Sequence, residues 1–179
     1  MKAIERSTWL ELIAEVEGRA PLVSSRDHGG QHWRGVAVAG AVLAETMPGI
    51  VTDTVLCFAL FHDAQRENDY TDPQHGLRGA KLAFEILPRY GILFPEDMQM
   101  LWEACEQHTH AKTTANPVHA VCWDADRLNL WRVDTIPDQR FLSTDEAKKR
   151  IEWAEDLHER NTPWEDILDM YDALREGTS

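Results

Sequence analysis

The stretch VLCFALFHD, Val55–Asp63, decides the fold. An apolar run this short suits a buried strand or a buried helix, and its periodicity does not separate them. Composition does. Only Val55 is β-branched, whereas alanine and leucine favour helix. The run therefore reads as a central helix, capped by Asp53 and ending near Asp63. It is far too short to cross a bilayer, which takes about 20 apolar residues. Its end is unusual, because the greasiest segment of the chain closes on adjacent His62 and Asp63. A buried carboxylate is costly unless a hydrogen-bond donor, an arginine or a metal ion meets it.

Helical signals continue on both sides. Upstream, Thr8-Trp9-Leu10-Glu11 has the form of a capping box, and Gly18 closes the helix it opens. After the loop SSRDHGGQ, Val36, Gly40, Leu43 and Met47 fall at helical spacing in a segment from about His32 to Thr46, which Pro48-Gly49 ends. Downstream of the turn-rich NDYTDPQHG, three further apolar periods appear. Ala80, Ala83, Phe84 and Leu87 mark one; Met98, Leu101, Trp102 and Cys105, after Pro95, mark the next; Val118, Val121, Cys122, Ala125 and Leu128 mark the third. Ser143-Thr144-Asp145-Glu146 predicts a capped, charged helix to about Arg160, and Thr162-Pro163-Trp164-Glu165 opens the last one. No segment alternates with a period of two. The expectation is one all-α domain over residues 1–179, a helical bundle whose helices after Ser143 lie on its outside.

Composition narrows the function. The 179 residues are 43% hydrophobic and 27% charged, ordinary for a globular domain. Net charge is −13, from 31 acidic and 18 basic residues. Such a surface repels a phosphate backbone, so a long nucleic acid is an unsuitable partner, while a small anion in a locally basic cleft is not. Arg34, Arg78, Lys81, Lys112 and Arg127 are candidates for that lining. No secretion signal or membrane span is visible. Cys57, Cys105 and Cys122 are isolated and in apolar surroundings, as core thiols of a reducing compartment would be, and cytoplasm is the default.

The eight histidines are grouped. His28 and His32 stand at the mouth of one expected helix, His62 and Asp63 at the end of the next, and His75 at the start of a third. His108 falls on the apolar face of its helix. Asp124 and Asp126 both sit at the margin of the apolar face of theirs, and a helical wheel does not separate them. Any one of these histidines alone is more often a surface or hydrogen-bonded core residue than a ligand. Together they supply imidazole and carboxylate groups on several helices, a donor set suited to Mn, Fe, Co, Ni or Zn.

His32, then His62-Asp63, then Asp126 resembles the H…HD…D signature of the HD-domain superfamily of metal-dependent phosphohydrolases. HGGQHWRGV is similar to that family's first-histidine helix, DPQHGLRGA follows HD as in many small bacterial members, and DADRL is the usual setting of the last aspartate. The similarity covers about residues 25–132; the helices of about 143–175 lie outside it. It implies that His32, His62, Asp63 and Asp126 hold a divalent transition metal, with Asp126 rather than Asp124 as ligand. His75-Gly-Leu-Arg-Gly79 resembles the HxxxG stretch of binuclear members, and His108 stands where those carry another histidine. The resemblance thus implies a second metal or substrate phosphate as the partner of these two. The HD-GYP branch is excluded, since HTHAKTTANP replaces its paired histidines and glycine-rich run.

Three residues after the HD aspartate, where many members carry a residue acting on the substrate, this chain has Arg66, followed by Glu67. The resemblance implies a phosphate clamp for Arg66 and a base for Glu67, with a solvated loop as the bland alternative for both; Arg78 and Lys112, from the basic lining, are the candidates for substrate binding. Asp69 and Asp72 read as loop residues. The implied activity is hydrolysis of a small phosphate ester or nucleotide, with Asp63, Arg66 and Glu67 catalytic and one or two ions bound. A di-iron oxygenase and a non-catalytic metal or nucleotide sensor are the alternatives, and a homo-oligomer is compatible with all three.

Overall fold

The computed structural model describes residues 4–177. Its helices are α1 (Arg6–Arg19), α2 (Gly30–Glu45), α3 (Thr52–Phe61), α4 (His75–Ile86), α5 (Pro95–Gln107), α6 (Pro117–Leu128), α7 (Asp145–Lys149) and α8 (Trp164–Gly177), with short 3-10 turns between some of them. No strand occurs among the described residues.

The stretch that decided the fold is its axis. Every residue of α3 from Thr54 to Phe61 is buried, as expected of a helix that is apolar all round. Six helices (α1, α2, α4, α5, α6 and α8) pack against it. One of them comes unusually close. A Cβ built on Gly79 of α4 would lie 2.1 Å from the Phe61 carbonyl oxygen, and one on Gly76 would lie 2.1 Å from that of Cys105. The two missing side chains let the start of α4 rest on the ends of α3 and α5. That contact carries His75 to the end of the bundle where His62 and His108 stand. Gly79→Ala is expected to cost about 2 kcal/mol, because backbone rather than a flexible side chain must yield. A thermal melt should show a drop of roughly 4–8 °C for a chain of this size, and an unchanged midpoint would mean that α4 does not sit as described.

The C-terminal part departs from expectation. Rather than lying outside, α8 buries Trp164, Ile167, Leu168 and Tyr171 against α2 and α3, and the Tyr171 hydroxyl donates to the Ala37 carbonyl at 3.0 Å. The small residues of α2 (Ala37, Ala41, Ala44) leave room that these larger side chains fill. The charged helix expected to reach Arg160 stops at Lys149, and residues 150–159 continue as successive turns. Ile151, Ala154 and Leu157 are three residues apart, a spacing that matches a three-residue turn better than an α-helix. Bonds from Ala154 N to Ile151 O and from Leu157 N to Ala154 O follow it.

Two caps also differ. Thr144, not Ser143, caps α7, its hydroxyl accepting from Ala147 N at 3.1 Å. Helix α1 begins at Arg6, ahead of Thr8, where Arg6 bonds to Asp169 and Glu165 of α8, so a tertiary contact overrides the local cap. Asp53 lies in the first turn of α3, behind Val51 at the N-cap, and takes a hydrogen bond from Arg175 Nε at 2.8 Å. All three cysteines are buried and unpaired. Among the described residues no helix is long and apolar enough to cross a membrane.

Candidate metal centre

Helix ends assemble this site. His32 comes from the first turn of α2, His62 and Asp63 from the end of α3, His75 from the start of α4, His108 from the end of α5 and Asp126 from α6. His32 Nε2 lies 3.0 Å from His62 Nε2, 3.6 Å from Asp63 Oδ2 and 3.4 Å from Asp126 Oδ1. On the other side of the same carboxylate, Asp63 Oδ1 is 3.1 Å from His75 Nε2 and 3.7 Å from His108 Nε2, and those two nitrogens are 2.9 Å apart. Asp63 thus offers one oxygen to each histidine pair. His32, His62 and Asp63 form one buried group able to hold a metal ion, and Asp63, His75 and His108 form another.

The proton positions test whether a cation fits. Each of the four imidazoles turns Nδ1 toward an oxygen that only accepts: Asn129 Oδ1 for His32 at 2.7 Å, Phe58 O for His62 at 3.0 Å, Asp72 O for His75 and Cys105 O for His108 at 2.7 Å. The acceptor fixes the tautomer. With Nδ1 protonated, a neutral ring presents a lone pair at Nε2, so each pair places two lone pairs face to face at about 3 Å. That arrangement is repulsive unless a positive charge lies beside it. The same pattern orients metal-binding histidines generally. His32 Nε2 and His62 Nε2, 3.0 Å apart, are close enough to be held by one ion with bonds of about 2.1 Å. Asp63 Oδ1, buried and accepting no hydrogen bond among the described residues, is the orphaned polar atom such an ion would satisfy. The residues present fit a divalent transition metal.

The charges in this pocket shift one another. Burial pushes His62 down to about 3, against the pull of Asp63 and Asp126. Burial would raise the carboxyl of Asp63, but the imidazoles of His62, His108 and His75 outweigh it and hold Asp63 well below the usual range. Asp126 is likewise lowered, burial being overcome by His32 and His62. His108 moves the other way: burial lowers it, yet Asp63 and Asp126 raise it overall.

The linkage follows from those signs. A folded His62 that stays neutral to about pH 3, against about 6.5 when unfolded, loses stability for the protein as pH falls between those values. The lowered carboxylates lose theirs below about 3.9. His108 opposes this, since its contribution is complete below about 6.5 and is lost as pH rises through its raised value. Metal-free protein should therefore show a falling urea midpoint from pH 6.5 toward pH 4. A midpoint flat across that interval would contradict the burial of a neutral His62.

The other candidates are placed as follows. Arg66 Nη1 lies 3.7 Å from Asp63 Oδ1 and 3.5 Å from both ring nitrogens of His75, while Nη2 donates to Tyr70 O at 2.8 Å. Glu67 is largely exposed, its carboxylate 3.6 Å from Arg78 Nε. Arg78 is engaged by Gln65 O at 3.0 Å and by Asp72, which makes it a brace of the loop after the HD pair. Lys112 stands at the rim of a neighbouring cleft. Asp124 turns away from the histidines and accepts from Ser143 N, Thr144 N and Thr144 Oγ1 at 2.7–2.8 Å. His28, its ring centroid 6.5 Å from that of His32, is tied to Asp69 at 2.9 Å.

Sequence reasoning passed over Asn129, which orients His32, and Thr109, whose hydroxyl is 3.3 Å from both His75 Nε2 and His108 Nε2. Asn129 follows Asp126 by three residues and so shares its helix face, a signal that was present. Thr109 carried none beyond adjacency to His108. Compared with family models, curated proteins and solved structures, the chain finds no match in any of the three.

Proposed function

We propose that this protein is a metal-dependent phosphohydrolase of the HD-domain type, acting on a small phosphate ester. The observation that carries the reading is the shared Asp63 carboxylate between two histidine pairs whose Nε2 lone pairs all turn inward. His32, His62, Asp63 and Asp126 would hold one ion, and His75 and His108, with the second oxygen of Asp63, another. Mn, Co, Ni, Zn and Fe suit these ligands. When bound, such an ion supplies Lewis acidity and water of lowered pKa.

The chain's own residues supply the rest. Arg66 places a fixed positive charge beside the bridging carboxylate, where it can meet a phosphoryl oxygen. Asp126, with 17% of its side chain exposed, marks the side from which a ligand reaches the centre. The net charge of −13 disfavours polynucleotides and leaves small anions. Three buried unpaired thiols accord with a reducing, cytoplasmic setting.

A panel of nucleotides, sugar phosphates and aryl phosphates, assayed with Mn, Co, Ni and Mg, tests the proposal. Turnover of at least one ester that chelation abolishes is the expected result. The six converging ligands also suit a di-iron oxygenase. Two irons per purified chain, oxygen consumption and no ester turnover with any metal would move the proposal to that chemistry.

A further inference from the structure

A cleft of about 470 Å³ opens beside the centre, within the range of small-molecule sites. Its apolar walls are Ala111, Leu130, Ile136 and Phe141, with Thr109 and Lys112 among its polar residues. Thr109 joins cleft to centre, because its hydroxyl reaches both His75 Nε2 and His108 Nε2 at 3.3 Å. Leu130, four residues beyond Asp126, also lines the cleft. Ile136 is 66% exposed and Phe141 39%, a cost in water that a bound apolar group would remove.

The charges limit what fits. Arg127 looks like a second cation for the cleft, but its Nη1 donates to Lys112 O and Phe141 O at 2.7 and 2.8 Å, and its Nη2 to Ala111 O and His108 O. It builds the wall and has little left for a ligand. Asp138, also lining the cleft, is held by Arg140. Lys112 Nζ has no ion pair among the described residues. A polyphosphate would meet one ammonium, the imidazole of His110 and an aspartate, and the hydroxyls of a bare sugar would lose water against leucine, isoleucine and phenylalanine.

We propose that this cleft receives the non-phosphate part of the substrate, and that the substrate is the monophosphate ester of a largely apolar or aromatic alcohol. The inference rests on the phosphohydrolase reading and narrows it. Equilibrium binding of 1-naphthylphosphonate and of methylphosphonate to the Mn-loaded protein tests it, because neither can be turned over. The naphthyl compound should bind about tenfold more tightly or better, the scale of covering a few methylene-sized groups. Ile136→Asn and Phe141→Ser should each remove most of that advantage and leave methylphosphonate binding unchanged; Ile136 is exposed enough that its replacement keeps the fold. Equal binding of the two phosphonates, or an advantage that both variants retain, overturns the cleft assignment while the hydrolase reading stands. If neither phosphonate binds and no ester turns over, the hydrolase reading falls and this one with it.

Discussion

Asp63→Ala is expected to yield a folded protein that retains no divalent ion and hydrolyses no ester. Asp63 faces both histidine pairs, so its loss removes a ligand from each group at once. Losing a partner one step further out already costs about 10–100-fold in metal affinity; losing the shared ligand itself should cost more than about 100-fold. The fold survives but is weakened, because, against its burial, the imidazoles of His62, His108 and His75 hold Asp63 well below the usual carboxylate range, and its removal takes away that attraction while the buried rings stay. Metal titration followed by thermal melting separates these effects. The parent should gain several degrees when Mn or Ni is added, because a ligand that binds only the native state stabilises it. The variant should melt below the parent's metal-free midpoint, still cooperatively, and show no gain on metal addition. A variant that keeps its metal response would remove Asp63 from the centre.

Arg66→Ala should lower kcat/KM by about 100-fold on the best ester, the scale seen when one donor to a transition-state oxyanion is removed, with metal content unchanged. Two backbone carbonyls, Tyr70 O at 2.8 Å and Asn68 O at 3.3 Å, hold the guanidinium while Nη1 points at Asp63 and His75. Arg66→Lys is the sharper variant. An ammonium retains the charge but cannot span both carbonyls and a phosphoryl oxygen in one plane, so it should recover only part of the rate. If the role of Arg66 were limited to tying down its loop, Arg66→Ala would lose stability and keep kcat.

The axis of the fold was legible because Val55–Phe61 contains almost nothing that favours a strand, and α3 follows. The burial of α8 was not legible. Its apolar stripe of Ile167, Leu168 and Tyr171 could be read, but the space it fills is made by alanines of α2 far away in sequence. The segment after Lys149 departs from the helix that its capping box predicts because its apolar residues recur every three positions, which a run of three-residue turns buries better than an α-helix. At the centre, the HD pair and the other histidines could be listed from sequence. That they share one site was an expectation of the resemblance; what the sequence does not disclose is the close approach of α4, where Gly76 and Gly79 let backbone meet backbone and bring in His75. Glu67 illustrates the opposite limit: adjacency to Arg66 suggested a base, while the chain turns its carboxylate toward Arg78.

The anchoring of the four imidazoles also sets an order in which the site can form. His62, His75 and His108 each bond to a carbonyl three or four residues back, so their rings acquire direction as soon as their own turns exist. His32 depends on Asn129, 97 residues further along the chain. Contacts that distant carry the greater chain-closure entropy. Three of the imidazoles are thus oriented by local structure, and the fourth is fixed only when the segment after α6 docks, so a metal held by all four would report completion of the tertiary fold.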